Sequence, residues 1–370
     1  MPMTEFCMFL CGDVMLGRGI DQILRHPSQP ELYESSVDSA MTYVHLAEAA
    51  NGRMPRHVEP GYVWGDALAV LDDRRPATRI INLETAITTS GKPWPKGINY
   101  RMHPDNVGCL TAARIDCCVL ANNHVLDWGR AGLVETLATL RTRGLGVAGA
   151  GRQAAEAGAP AVLPGPRGGR VLVYGLASVT SGVPREWAAT ASQPGVNLLP
   201  DLSVETAASV VEAARAVRQP GDLLIASVHW GGNWGYNIPH SQREFAHALV
   251  DGGCDIVHGH SSHHPKGVEL YRQSLILYGC GDFINDYEGI SGYEEFRGDL
   301  VVMYLPRFDG TDGRLRSLEM VPMRIRQFRL SRPSSQDANW LYQVLARESA
   351  RLGTNVARRA DGGFGIELAG

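Results

Sequence analysis

The 370-residue sequence has no concentration of basic residues: 35 Lys and Arg stand against 39 Asp and Glu, a formal net charge of −4. That balance counts against the cationic surface by which nucleic-acid-binding proteins displace counterions from phosphates. No uninterrupted apolar run approaches the roughly 18 residues of a membrane-spanning helix. Residues 1–10 lack the charged start and small-residue cleavage site of an export signal. The seven cysteines, Cys7, Cys11, Cys109, Cys117, Cys118, Cys254 and Cys280, form no CxxC pair. An odd number, mostly within apolar runs, argues against a disulfide framework and a structural zinc cluster. None sits beside a base in a recognisable motif, which counts against thiol catalysis. Internal repeats are also missing. The expectation is a cytoplasmic protein with neither a membrane anchor nor a nucleic-acid partner.

Apolar residues make up 44% of the chain and charged ones 20%, enough to bury a substantial core. Short apolar runs alternate with segments of helical periodicity, which predicts α/β layering. Strands are expected at 6–11, 79–82, 116–120, 171–174, 223–228, 255–257 and 275–278, and helices at 133–143, 204–218 and 243–250. Gly144 and Gly252 are positioned as C-caps. Residues 21–65, 88–102 and 178–200 read as long added loops. After Leu300 the pattern becomes strands at 300–305, 315–321 and 325–330, then a helix near 338–352. Residues 1–300 are therefore expected to form one large domain, and 301–370 a strand-helix extension packing on it.

Five strands end in polar side chains: Asp13; Asn82 and Glu84; Asn122, Asn123 and His124; His229; and His258 and His260, with His263 and His264 close behind. In open α/β sheets ligands bind beyond the carboxyl ends of the strands, so these residues should converge. Each alone has a plainer reading, Asp13 as a turn residue and His229 as a hydrogen-bonded structural imidazole. Together they favour a metal site. Carboxylates, an amide and imidazoles suit one or two divalent ions such as Zn, Mn, Fe or Mg. A carboxylate bridging two ions ~3.5–4 Å apart is a common hydrolytic centre.

The motifs Cys11-Gly12-Asp13-Val14-Met15-Leu16-Gly17, Asn82-Leu83-Glu84-Thr85, Ala121-Asn122-Asn123-His124-Val125-Leu126-Asp127-Trp128-Gly129, His229-Trp230-Gly231 and Gly259-His260-Ser261-Ser262-His263-His264-Pro265 occur in this order. Their order and intervals resemble those of the CapA family, poly-γ-glutamate capsule biosynthesis proteins of the calcineurin-like metallophosphoesterase superfamily. The resemblance covers residues 6–300. It implies a four-layer α-β-β-α metallophosphoesterase-like sandwich with a C-terminal strand-helix appendage. It also implies that Asp13 and His263 bind one metal and that Asn123, His229 and His260 bind the other, with Glu84 bridging. His124 would protonate the leaving group and Asp127 would orient it. Three positions depart from the superfamily pattern: Met15 stands where a His is usual, Glu84 where an Asp is commoner, and two residues separate His260 from His263 instead of one. The last departure leaves His258 and His264 as further ligand candidates.

Lys92, Lys96 and Arg101 follow Glu84 and are expected to hold phosphate or carboxylate groups; the plainer reading is a solvated loop. Asn233 is expected to donate to an oxyanion, and Trp94, Trp230, Trp234 and Tyr236 to wall the cleft. Asn82, His258 and Asp282 are expected behind the ligands, orienting them. The expected function is a metal-dependent hydrolase that activates water against a phosphoester or a γ-glutamyl-type amide. Its substrate would be a small molecule or peptide bearing phosphate or carboxylate groups. The alternative is a non-hydrolytic, metal-containing binding or assembly protein in poly-γ-glutamate or peptide biosynthesis.

Overall fold

From its N-terminus the chain builds half of one sheet, crosses to build a second, and returns to finish the first. The computed structural model describes residues 5–368; residues 1–4, part of the stretch read for an export signal, lie outside them. Strands β1 (Glu5–Val14), β2 (Thr78–Leu83), β3 (Cys117–Val119) and β4 (Gly146–Ala148) lie side by side in parallel. The second sheet comprises β5 (Ala161–Pro164), β6 (Arg170–Ala177), β7 (Leu223–His229), β8 (Ile256–His260), β9 (Val268–Tyr271) and β10 (Ser274–Leu277), in the order β9-β10-β8-β7-β6-β5. Then β11 (Asp282–Ile284) pairs with the end of β1. On the same edge of β1, the one away from β2, follow β12 (Leu300–Asp309), β13 (Leu315–Arg326), β14 (Arg329–Ser331), β15 (Ala357–Arg358) and β16 (Phe364–Glu367).

Alternate residues of a strand face opposite ways, and the second sheet uses both faces. Val171, Val173, Ile225, Ile256 and Leu275 enter the core shared with the first sheet. Leu172, Tyr174, Leu224, Val228 and Ile276 pack instead with Val211, Phe245 and Leu249 of the covering helices. The four longest helices among the described residues are α1 (Gly129–Thr142), α2 (Val204–Arg215), α3 (His240–Asp251) and α4 (Ser335–Ala350). Leu133, Leu137 and Leu140 of α1 belong to the core of the first sheet. The result is the four-layer α-β-β-α sandwich. At about 1.5–3 kcal/mol for each fully buried large apolar side chain, these two interfaces supply most of the driving force for folding.

Helix ends follow local chemistry. Ser203 Oγ caps α2 by accepting from Thr206 N at 3.1 Å. Gly144 follows α1 with φ +73°, whereas after α3 the left-handed position is taken by Gly253 (φ +106°), one residue beyond Gly252. A stricter requirement holds at Gly12, where a Cβ would lie 1.6 Å from the Gly281 carbonyl oxygen. Without a side chain there, β1 and β11 close up, and Asp13 N donates to Gly281 O at 2.9 Å.

The segment after residue 300 adds strands to the first sheet. β12 pairs antiparallel with β1 from Glu5 to Leu10, and β13 and β16 extend the same sheet. Its apolar strands continue the first sheet because β1 would otherwise be an edge strand with a fully buried side-chain row. α4 then reaches the second sheet, where Val268 N donates to Ser349 Oγ at 2.9 Å. Residues 21–65 are more than a loop, since they carry the helix Met41–Asn51 with Tyr43, Val44 and Ala47 buried. Loops 88–102 and 178–200 meet edge to face through Trp94 and Trp187, 5.8 Å apart. A chain ending at residue 300 is expected to be insoluble or to lack a cooperative thermal transition by circular dichroism; a stable fold from that fragment would contradict the role of β12.

Candidate metal centre

Strand register assembles the site. β1 sets Asp13 beside Asn82 of β2 on one flank and Asp282 of β11 on the other. In the second sheet β7 and β8 pair Ser227 with His258 and His229 with His260. These four residues continue the inward-facing rows of Ile225 and Ile256, so polar side chains occupy the carboxyl end of the seam between the sheets. Among the described residues, Asp13, His229 and His260 form the one group of metal-competent side chains whose ligand atoms all lie within 4.8 Å.

Around that group the contacts are specific. Asn82 Nδ2 donates to Asp13 Oδ1 at 2.7 Å, and Ser261 N donates to Asp13 Oδ2 at 3.2 Å. His260 Nδ1 lies 3.9 Å from Asp13 Oδ1 and 2.8 Å from His229 Nδ1. The other nitrogen of His229 lies 3.1 Å from Asn123 Oδ1 and 3.8 Å from Glu84 Oε1. His263 is set apart from this cluster, with its Nδ1 3.0 Å from Asp282 Oδ1, while Asn285 Nδ2 donates to Asp282 Oδ2 at 2.7 Å. His258 stands behind His260: its Nδ1 is 2.9 Å from Ser227 Oγ and its Nε2 is 2.7 Å from the Cys11 carbonyl. His264 packs against Trp234, Tyr236 and Phe296, away from the cluster.

Burial dominates the electrostatics. It pushes His229 and His260 well below the usual imidazole range, so both rings are neutral and carry a lone pair. Burial, reinforced for Glu84 by neighbouring Asp13, raises both of those carboxyls, which share a hydrogen bond. His263 differs, because the Asp282 carboxylate more than offsets the effect of burial and raises it. Two neutral imidazoles, an amide oxygen and a pair of buried carboxylates match the donor chemistry of a divalent cation, whose charge would compensate the acids.

On the rim of this cluster His124 Nδ1 is 2.7 Å from Asp127 Oδ2, and its Nε2 is 3.8 Å from Glu84 Oε1. Tyr100 stacks on the ring at 3.8 Å. Lys96 Nζ pairs with Asp127 Oδ1 at 2.7 Å and also donates to the Asn123 carbonyl. Burial, with Lys96 adding repulsion, lowers His124 to about 4.

The other expected substrate contacts are placed differently. Arg101 is engaged elsewhere, donating to the Ser90 and Gln29 carbonyls at 3.0 Å each with its guanidinium 3.9 Å above Trp128. Lys92 is exposed and makes no ion pair among the described residues. Asn233 is exposed and meets the site through its carbonyl, which accepts from His263 N at 2.9 Å. Trp230 is core, donating to the Tyr278 carbonyl and packing on Phe245. Trp234 does flank the site, 5.2 Å from His263. All seven cysteines are buried, and burial raises the Cys11 and Cys280 thiols well above their ordinary range.

The family described as bacterial capsule synthesis protein PGA_cap matches residues 7–287, a span that contains every residue of the site. The chain belongs to the PGA_cap family. Among its relatives, a probable polyglutamine synthesis accessory protein of Mycobacterium tuberculosis is 48% identical over 356 residues, covering 96% of this chain and 94% of the relative. The capsule biosynthesis protein CapA of Bacillus anthracis is 24% identical over 352 residues, covering 94% and 74%. A solved phosphatase structure from Mycoplasma pneumoniae aligns over 89% of this chain and 95% of its own with a TM-score of 0.47 at 11% identity. No helix among the described residues is long and apolar enough to cross a membrane.

This PGA_cap protein also contains polar residues around the site that the strand-end pattern does not reveal. Arg18, just beyond β1, is buried and binds Asp286 through Nε at 3.2 Å and Nη2 at 2.5 Å. Its Nη1 meets Glu34 at 3.0 Å, and its guanidinium lies 3.7 Å over Tyr43 and 4.8 Å over Tyr100. A buried arginine behind the ring that stacks on His124 couples the 21–65 insertion to the site. Asn122, already among the strand-end residues, ties the motif together: its Nδ2 donates to Asn82 Oδ1 at 3.0 Å, and its Oδ1 accepts from His124 N at 3.1 Å. Replacing Arg18 with methionine leaves two acids without their cation, and is expected to cost about 3–5 kcal/mol, read as a lowered thermal midpoint. An unchanged midpoint would show that the pairs are dispensable.

Proposed function

We propose that this PGA_cap protein is a metal-dependent hydrolase acting on a phosphoester or a γ-glutamyl-type amide in a small-molecule or peptide substrate. The observation that carries this reading is the His124–Asp127 pair, 2.7 Å apart and aimed at Glu84 beside the Asp13–His229–His260 cluster. An imidazole oriented by a buried carboxylate on the rim of the cluster is what proton transfer to a leaving group requires. One or two ions of Zn, Mn, Fe or Mg would be held by Asp13, Glu84, Asn123 and His229, with His260 and His263 the remaining expected donors. Such an ion supplies Lewis-acid polarisation of the scissile group.

The chain's own residues do the rest. Asp127 accepts from Nδ1 of His124 and leaves Nε2 a lone pair, the atom that would first take a proton from the attacking water and then pass it to the leaving group. Lys96, held between Asp127 and the Asn123 carbonyl, brings one positive charge to the same edge. Asn82 and Ser261 N orient Asp13, Asp282 orients His263, and Tyr100 covers one face of His124. The relatives' names place them in capsule or polyglutamine synthesis, so glutamyl amides belong beside phosphoesters in any substrate screen.

A second reading, a metal-containing assembly or binding protein, is favoured by Met15, where the superfamily usually has an imidazole. Its thioether accepts from Gly17 N at 3.1 Å and is buried. Elemental analysis of the purified protein, followed by a screen of phosphoesters and γ-glutamyl amides, separates the two. Bound metal with turnover of one class is expected, with loss of turnover in His229→Ala and Glu84→Ala. His124→Ala should keep its metal and lose about 10²–10⁴ in kcat. Metal without turnover of either class supports the binding role, and full activity after chelator treatment overturns the hydrolase reading.

A further inference from the structure

Lysine is rare in this chain: of 35 Lys and Arg residues only Lys92, Lys96 and Lys266 are lysines. Lys92 is exposed and Lys96 is tied to Asp127. Lys266, on the segment that leads from His263 to β9, is 6% exposed and forms no ion pair among the described residues. A lysine buried to that extent is ordinarily paired. Its ammonium has three hydrogens to give, and the contact that receives one is the Asn237 carbonyl at 3.5 Å, the outer limit of a hydrogen bond. Burial lowers Lys266 below the ordinary lysine range, and no carboxylate raises it back. His264, within range of the Lys266 charge, also leaves its Nε2 without a hydrogen-bond partner among the described residues.

The side chain is held in this position. Lys266 N donates to Gly279 O at 2.8 Å, and a Cβ at Gly279 would stand 3.1 Å from Lys266 Cγ and 2.3 Å from Ser262 Oγ, so the glycine leaves the groove in which the stem lies. The ammonium comes up beneath residues 231–239, where Asn237 is exposed and Tyr236 joins Phe296 and Trp234 in an aromatic wall. Trp234 also meets His263 at 5.2 Å, so the same wall borders the candidate metal centre.

We propose that Lys266 is the cationic anchor of a carboxylate-binding site beneath the 231–239 loop, taking a molecule that carries its carboxylate on an apolar stem. One ammonium balances one carboxylate, which accepts the remaining hydrogens and compensates the buried charge. A phosphate group, close to dianionic at neutral pH, calls for guanidinium forks or several N–H groups. Arg347, a guanidinium on this wall 5.4 Å over Tyr236, is already paired with Glu348 at 2.7 Å. The aromatic rings suit the apolar stem. That the carboxylate belongs to the molecule being hydrolysed rests on the hydrolase reading above; the site itself does not.

The test uses the full chain with its lysines ¹³C-labelled at Cε, which gives three signals, Lys266 being assigned against Lys266→Met. Titration with glutarate in the presence of zinc is expected to move the Lys266 signal saturably before Lys92 responds, and inorganic phosphate is expected to leave it in place. In calorimetry Lys266→Met, which keeps an apolar stem over Gly279, should bind glutarate about ten- to hundred-fold more weakly, the loss usual for a hydrogen-bonded charged group. If that variant fails to fold, Lys266→Arg serves for the assignment and the wild-type titration decides. A Lys266 signal that moves no earlier than that of Lys92, or a folded Lys266→Met with unchanged glutarate affinity, overturns the site. A response to phosphate in place of glutarate overturns the carboxylate assignment. After chelation the glutarate response should persist, and its loss would assign the probe to the metal centre and overturn the site. Absence of turnover in the substrate screen overturns the hydrolase reading alone.

Discussion

Two carboxyl groups, Asp13 and Glu84, touch inside the protein where water does not reach them. Each charge taken out of water costs several kcal/mol unless something compensates it, and two together repel as well. The surrounding structure answers that constraint. Asn82 and a backbone N–H hold Asp13, neutral imidazoles stand beside the pair, and the positive charge of Lys96 is close by. Lys96 is the one cation of this set and is itself paired with Asp127, and the proposed divalent ion would compensate the two acids more fully.

Supplying those partners requires strand ends from both sheets to meet. The first sheet contributes Asp13, Asn82 and the residues just beyond β2 and β3, and the second contributes His229 and His260. The meeting is close because Gly12 lets β11 pack against β1 and because His258 reaches across to the Cys11 carbonyl. The sheets are thus tied by a hydrogen bond at the point where their apolar contact ends. The same carbonyl then serves two purposes, one in packing and one in orienting the imidazoles.

On the solvent side the site is roofed by insertions rather than by the sandwich itself. Tyr100, from the 88–102 loop, lies on His124, and its hydroxyl meets that of Tyr287 at 2.7 Å. Arg18 sits behind both rings, joined to Asp286 and to Glu34 of the 21–65 insertion. A buried arginine needs acids on more than one side, and drawing them from distant segments makes the roof part of the core. The aromatic stack around Trp234, Tyr293 and Phe296 closes the side next to His263.

Much of this was legible in the amino-acid order because the strands are short, apolar and interrupted by polar residues only at their ends. A run such as 223–228 followed by His229 identifies both a buried strand and the end that carries chemistry, and the same reading finds Asp13, Glu84, Asn123 and His260. The loop cations were not legible in this way. Lys92, Lys96 and Arg101 have similar surroundings in sequence, yet only Lys96 reaches His124, because a loop has no periodicity from which direction can be inferred. Ser227 gave no signal, since a serine inside a strand is unremarkable until its cross-strand neighbour is known to be His258. The strands after residue 300 read as an appendage because an antiparallel strand carries the same apolar pattern wherever it pairs. The sequence by itself determined the layering, the strand ends and the kinds of ligand atom available. Which imidazole meets which oxygen, which arginine is buried, and where the last strands join were decided by tertiary structure, because those outcomes depend on register and on distances between segments far apart in the chain.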